Sequence, residues 1–188
     1  MLSGLVLTLI LSAPSAAPRP GAPSAPTRAL SEGEIASRVR TYLAVIDTPI
    51  SDAQWKALGA GAAPQLTAVL EDSRRLPTAR GRALWALGLI APAAAEAHAR
   101  RILADPAQEL HLRDVAIGAL GQVATPEVVA RELTLVMETD ASRQLRARAA
   151  SVLAEKVEGG CEAVRGQLAR EASPEAFRTS MRRCHLSR

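Results

Sequence analysis

The apolar residues of this chain recur three and four positions apart, which is the spacing of residues on one face of an α-helix. The pattern predicts a cap helix at 31–47, a short helix after Ser51 and a further helix that ends near Arg75. The remaining predicted helices lie at 78–91, 93–104, 110–123, 126–138, 143–157 and 161–171, followed by a C-terminal cap helix at 174–186. Nearly the whole chain after residue 30 is therefore expected to be helical.

These predicted helices repeat in pairs at one constant spacing along the chain. The equivalent positions are Arg80/Arg113/Arg146, Ala83/Ala116/Ala149, Leu87/Leu120/Leu153, Val69/Ile102/Leu135/Leu168 and Asp72/Asp105/Glu138/Glu171. A spacing of this length is typical of arrays in which each helix pair packs on the next. The sequence thus predicts an all-α fold of about four repeats, at 50–76, 77–105, 110–138 and 143–171, between the cap helices.

Local signals agree with these helix starts and ends. Ser31 with Glu34, and Ser51 with Gln54, have the spacing of capping boxes. Gly59 follows a short helical stretch, at a position that favours a left-handed backbone. The sequence therefore indicates where the two N-terminal helices of the chain begin and where the helix after Ser51 ends.

One unit matches a known repeat most fully. It reads Asp105-Pro106, Leu112-Arg113-Asp114-Val115-Ala116, Ala119-Leu120-Gly121 and Thr125-Pro126-Glu127. This pattern resembles HEAT-type repeats, specifically the short form first associated with phycobilisome-lyase-type proteins, over about residues 50–172. The resemblance implies a right-handed α-solenoid of stacked helix pairs. It indicates little about function, because scaffolds, adaptors and enzyme-associated subunits share such folds.

The composition agrees with a helical core. The chain of 188 residues is 48% hydrophobic, mostly through Ala, Leu and Val, and has only four aromatic residues. Alanine has the highest helix propensity and allows close helix packing, whereas a β-rich fold needs more aromatic and β-branched residues. We expect one domain at 30–188.

The N-terminal segment has the composition of an export signal. Residues 1–17 contain an apolar run followed by small residues, and residues 18–29 form a Pro/Ala-rich linker that we expect to be disordered. The run is shorter than the roughly 20 apolar residues of a membrane-spanning helix. We expect export to a bacterial periplasm or the medium, and a cytoplasmic protein with an unstructured leader is the alternative.

The charge distribution favours a protein partner over nucleic acid. Residues 141–188 carry 10 basic and 5 acidic side chains, whereas residues 30–140 carry 11 and 14. Only two of the 23 basic residues are lysines, and no aromatic residues alternate with the arginines for base stacking. We expect a monomer that binds a protein. An acidic surface of that partner is expected to face His98, Arg101, Arg131 and Arg165, which lie on the second helix of each predicted pair.

The arginine row has two interpretations, as a ligand site or as part of the scaffold. Asp72, Asp105 and Glu138 each precede an arginine of the row by the same interval. We favour a structural charge ladder of Asp72, Arg80, Asp105, Arg113, Glu138 and Arg146 along a seam between repeats.

The two cysteines, Cys161 and Cys184, lie on the last two predicted helices. In an exported chain they are expected to form a disulfide that attaches the C-terminal cap helix to the array. The alternative is a pair of buried thiols, which behave as small hydrophobic residues.

Catalytic and cofactor motifs are not found in the sequence. There is no nucleophile elbow or Gly-rich phosphate loop, and the trio Cys161, Cys184 and His185 lacks a fourth zinc ligand. We therefore expect a non-enzymatic scaffold or adaptor without a cofactor. An enzyme-accessory or chaperone-like subunit is an alternative that needs a hydrophobic groove, which the scarcity of aromatic residues disfavours. DNA binding through the basic C-terminal end is a third, weaker alternative.

Overall fold

The computed structural model describes residues 30–45 and 49–186, and the regular secondary structure in these ranges is entirely helical. The α-helices are α1 (Glu32–Ala44), α2 (Asp52–Lys56), α3 (Ala63–Glu71), α4 (Pro77–Ile90), α5 (Pro92–Ala104), α6 (Leu110–Val123), α7 (Pro126–Thr139), α8 (Arg143–Lys156), α9 (Gly160–Leu168) and α10 (Arg178–Arg183). The signal peptide and linker predicted at 1–17 and 18–29 lie outside the described residues, as do 46–48. Within the described ranges, no helix is both long and apolar enough to cross a bilayer.

The predicted capping boxes are confirmed. In α1 the Ser31 side chain accepts from the backbone N–H of Glu34, and in α2 Ser51 accepts in the same way from Gln54. In both boxes the second side chain also accepts from the backbone N–H of the cap residue. Gly59 has the expected positive φ, of 68°.

The helices form two connected rows. The first helices of successive pairs, α4, α6 and α8, pack directly on one another. Each second helix, α3, α5 or α7, packs chiefly against the first helix that follows it in the chain. Each first helix therefore contacts neighbours on several sides, and its Ala and Leu columns are buried: Ala83, Ala116, Ala149, Leu87, Leu120 and Leu153 are all at most 1% exposed.

The second helices do not keep the register of the repeat, and the predicted Val69/Ile102/Leu135/Leu168 column is corrected at Leu135. Leu135 is 60% exposed, and Val136 is buried instead. The cause is an extra loop residue, since α5 follows α4 after Ala91 alone whereas Ala124 and Thr125 separate α6 from α7. The insertion rotates the inward face of α7 by one position.

The C-terminal cap also differs from its prediction as one helix at 174–186. It consists of a 3-10 helix, Pro174–Phe177, followed by α10, which ends at Arg183. Phe177 is fully buried and Met181 is 8% exposed, so the cap packs its apolar side against the preceding helices. A disulfide joins Cys161 of α9 to Cys184, the residue after α10.

Two glycines of α9 test how closely the last helices pack. A Cβ at Gly160 would lie 2.2 Å from the carbonyl oxygen of Leu153, whereas a Cβ at Gly166 has no neighbour within 4 Å. We expect Gly160→Ala to destabilise the fold by about 2 kcal/mol or more, because the backbone must move. Gly166→Ala is expected to stabilise it by up to about 1 kcal/mol through helix propensity. Thermal unfolding followed by circular dichroism measures both, and equal melting temperatures would contradict this packing.

The disulfide closes a loop with a sequence separation of 23 residues. In the chain-entropy model a loop of this length contributes roughly 3 kcal/mol to stability. We expect the Cys161→Ser/Cys184→Ser double variant to lose about that amount in urea unfolding. A reducing agent is expected to destabilise the native chain equally and to have no effect on the double variant.

Candidate binding groove

The arginine row lies on the first helices and joins neighbouring repeats. The Arg80 side chain on α4 is only 8% exposed. Its Nε donates to the carbonyl oxygen of Leu70 in α3 at 2.9 Å, and its Nη1 lies 3.0 Å from Oε2 of Glu109, just before α6. Arg80 thus links the C-terminal end of one second helix to the loop that follows the next.

Arg113 and Arg146 repeat this bridge. Arg113 Nη2 donates to the carbonyl oxygen of Leu103 in α5 and to the carboxylate of Asp140, which follows α7. Arg146 Nη1 donates to the carbonyl oxygen of Asp140 at 2.8 Å, and its Nε to Glu171 beyond α9 at 2.7 Å. A planar guanidinium with five donors suits these divergent contacts. All three arginines therefore join neighbouring repeats, although Nε of Arg113 is buried without a hydrogen-bond partner among the described residues.

The acidic residues predicted for the charge ladder need correction. Within the described residues, Asp72 and Asp105 form no ion pair with Arg80 or Arg113. Asp72 Oδ1 instead accepts from the N–H two residues later at 3.1 Å, and Asp105 Oδ1 does the same at 2.9 Å. These carboxylates shape the turns that follow α3 and α5.

Glu138 likewise contacts Arg170, at 3.3 Å, rather than Arg146. The residue that follows α7 and corresponds to Asp105 is Asp140, whose Oδ1 accepts from the N–H of Ser142 at 2.8 Å. The extra residue before α7, together with the greater length of α7 than of α5, displaces this carboxylate from the register of the repeat.

The predicted partner surface on the second helices is partly occupied by contacts within the chain. Arg101 donates to Glu71 of α3 at 2.9 Å, and its other contact, His98 Nδ1, lies 3.0 Å away. Burial, followed by the nearby Arg101 charge, lowers the pKa of His98 below its ordinary value. Arg131 pairs with the adjacent Glu132 at 2.9 Å. Arg165 is exposed, and its side chain makes no hydrogen bond or ion pair with another described residue.

A groove of about 500 Å³ lies elsewhere, where α1 and α2 meet the first helices. Its residues come from both sides of that junction: Tyr42, Val45, Pro49, Ile50 and Trp55 on one side, and Thr78, Gly81, Arg82, Trp85, His111 and Val115 on the other. Three of the four aromatic residues of the chain are therefore in one place. The expectation that scarce aromatics disfavour a hydrophobic groove is wrong, because they are concentrated rather than dispersed.

The aromatic residues have different roles in the groove. The Tyr42 and Trp55 rings form an edge-to-face pair with centroids 5.2 Å apart, a geometry that stabilises aromatic contacts. Trp55 is 4% exposed and belongs to the core, whereas Trp85 is 43% exposed. The groove thus has a fixed wall of Tyr42 and Trp55 and an accessible indole on α4.

Arg82 connects the two sides of the groove. Its Nη1 donates to the carbonyl oxygens of Val45 and Leu43 at the C-terminal end of α1. These carbonyls lack partners inside the helix, and a cation at this end also interacts favourably with the helix dipole. Arg82 therefore fixes α1 against α4 and shapes the groove.

The groove uses positions at which the repeats differ. Trp85 of α4 corresponds to Gly118 of α6 and Ser151 of α8, at the same place in the next two repeats. Arg82 likewise corresponds to Val115 and Arg148. Position 82 directly precedes the buried Ala column, and position 85 lies between the Ala and Leu columns. Sequence reasoning missed them, although comparing the non-repeating positions of the first helices would have singled out Trp85.

Among the residues that the structure describes, no group of three or more His, Cys, Asp or Glu side chains is arranged to hold an ion. In the trio Cys161, Cys184 and His185, both sulfurs belong to the disulfide.

Comparisons with known proteins do not assign the chain to a family. No protein-family model matches it, and no curated protein matches it either.

The arginine bridges predict a pH dependence. The hydrogen bond from Arg146 holds the pKa of Glu171 below its ordinary value of 4.5. As pH falls, the Glu171 carboxylate therefore becomes protonated at a higher pH in the unfolded chain than in the folded chain. The stability that the pair contributes is lost as pH falls below about 4.5. We expect Glu171→Gln to be less stable than the native chain at pH 7, with a smaller difference at pH 3.5, in urea unfolding.

Glu158→Gln is the matched control, because Glu158 is exposed and forms no ion pair with another described residue. Its stability is expected to follow that of the native chain at both pH values. A Glu171→Gln deficit that is the same at pH 7 and pH 3.5 would contradict the charge-based explanation.

Proposed function

We propose that this protein is a non-enzymatic interaction module of HEAT-like repeats that binds a segment of a partner protein in the groove between α1, α2, α4 and α6. The observation that carries this proposal is the gathering of Tyr42, Trp55 and the exposed Trp85 around one open groove. Binding sites of this size commonly have apolar and aromatic walls with a few polar groups.

The exposed aromatic surface favours the groove over the second helices as the proposed binding surface. On the second helices, exposed charges already pair across neighbours, as in Glu71 with Arg101 and Arg100 with Glu132 at 3.1 Å. Exposed aromatic residues contribute more to protein interfaces than such surface pairs do. We therefore move the proposed contact from the second helices to the groove.

Fold family and location belong to the same proposal. Stacked helix pairs with a repeating arginine support a HEAT-like solenoid, for which we propose the right-handed form that the resemblance implies. The disulfide supports an oxidising compartment, and together with the signal predicted at 1–17 it supports an exported protein.

The enzyme-accessory alternative gains one specific observation, since a hydrophobic groove is present after all. A groove that holds a cofactor would retain it through purification. Absorbance in the visible range by the purified protein would favour that alternative over a protein-binding module.

The proposal is tested by affinity purification of the tagged chain from its native organism with quantitative mass spectrometry. We expect Trp85→Ala to recover at least about tenfold less of the specific partner, as for a central aromatic contact. Leu135→Ala is the control, because Leu135 is a large exposed apolar residue away from the groove. Equal recovery by the two variants would exclude the groove as the binding site.

A further inference from the structure

We propose that the groove recognises an extended partner segment in which an aromatic or large aliphatic side chain has an acidic side chain one or two residues away. This proposal rests on the proposed function and adds the chemistry of the partner. Its two parts are an apolar contact with the aromatic wall and a carboxylate contact with Arg82.

The apolar part follows from the shape and lining of the groove. About 500 Å³ is enough for one large side chain together with its backbone. Trp85 offers an exposed indole there, beside the edge-to-face Tyr42–Trp55 pair. Burying an aromatic or large aliphatic side chain against these rings removes apolar area from water on both molecules.

The acidic part follows from the unneutralised charge of Arg82. Only its Nη1 makes hydrogen bonds with described residues, and both acceptors are neutral carbonyls. Its Nε and Nη2 make no hydrogen bond with a described residue and are not fully buried, so they are the donors that the proposed carboxylate would use. Among the described residues that line the groove, none is acidic and the Arg82 guanidinium is positively charged. The groove is thus complementary to an anion.

The spacing between the two parts is set by α4. Arg82 and Trp85 are three residues apart on one helix, so their Cβ atoms lie about 5–6 Å from each other. An extended segment advances about 3.3 Å per residue. The carboxylate therefore lies one or two positions from the apolar side chain along the segment.

An acidic side chain fits better than the terminal carboxylate of a chain. Capture of a chain terminus commonly uses a nest of free backbone N–H groups. Arg82 and Trp85 lie beyond the first turn of α4, where backbone N–H groups bond along the helix. The donor beside Trp85 is therefore the Arg82 side chain.

Selection from a displayed library of random peptides on the whole chain tests this directly. We expect the selected peptides to share an aromatic or large aliphatic residue with Asp or Glu one or two positions away. Synthetic peptides are then measured by intrinsic fluorescence, because both tryptophans of the chain line the groove. Replacing the acid with its amide is expected to weaken binding roughly tenfold.

Protein variants assign that difference to Arg82. Arg82→Gln is expected to bind the acid and amide peptides equally, and Arg82→Lys to retain the preference. Arg148→Gln is the matched control at the corresponding position of α8, and it is expected to behave like the native chain. The comparison of acid and amide peptides on the native protein needs no protein variant. It therefore tests the acidic preference even if Arg82→Gln fails to fold.

The outcomes separate the two proposals. Equal binding of acid and amide peptides to the native chain overturns the acidic preference and leaves the proposed function intact. No selected peptide, or selected peptides that bind Trp85→Ala unchanged, would overturn both.

Asp47 lies outside the described residues, so Asp47→Asn is included. A preference seen only in that variant would mean that the chain itself supplies the carboxylate, which overturns the inference.

Discussion

The structure depends on a cationic side chain that joins backbone and carboxylate acceptors from different repeats. Arg80, Arg113 and Arg146 each donate to a carbonyl near the end of the preceding second helix and to an acid near the end of the following one. Carbonyls at helix ends need such partners, and a charged donor satisfies them more strongly than a neutral one. The arginine therefore fixes the distance between repeats as well as joining them.

The regular spacing of the repeats was sufficient to predict the helices and the buried columns of the first helices. Their regularity agrees with the direct packing of α4, α6 and α8 on one another. The second helices pack mainly on the following first helix, so one inserted residue before α7 was accommodated by rotating its inward face. Periodicity alone does not reveal such an insertion, which is why Leu135 and Glu138 were misplaced.

The candidate site was less predictable, for a physical reason. A repeat pattern identifies positions that must be alike, whereas a binding site is formed by positions that are free to differ. Trp85 and Arg82 lie in the same helix as the core residues, but on the side that faces α1 and α2. Tyr42 and Trp55 are distant from Trp85 in the sequence and reach that side only through tertiary packing. Because an arginine side chain is long, sequence spacing did not identify the acidic partners of Arg80 and Arg113, which are Glu109 and Asp140.

The groove and the disulfide occupy different ends of the series of packed helices. The groove needs α1, α2, α4 and α6, and the disulfide needs only α9 and the residues after α10. A pair such as α6–α7 carries its own arginine and its own turn-forming acid, so it brings the contacts needed to join its neighbours. Gene duplication of an internal pair would therefore lengthen the array while leaving the recognition site and the covalent closure unchanged. Relatives that differ in repeat number are an expected evolutionary product of this architecture.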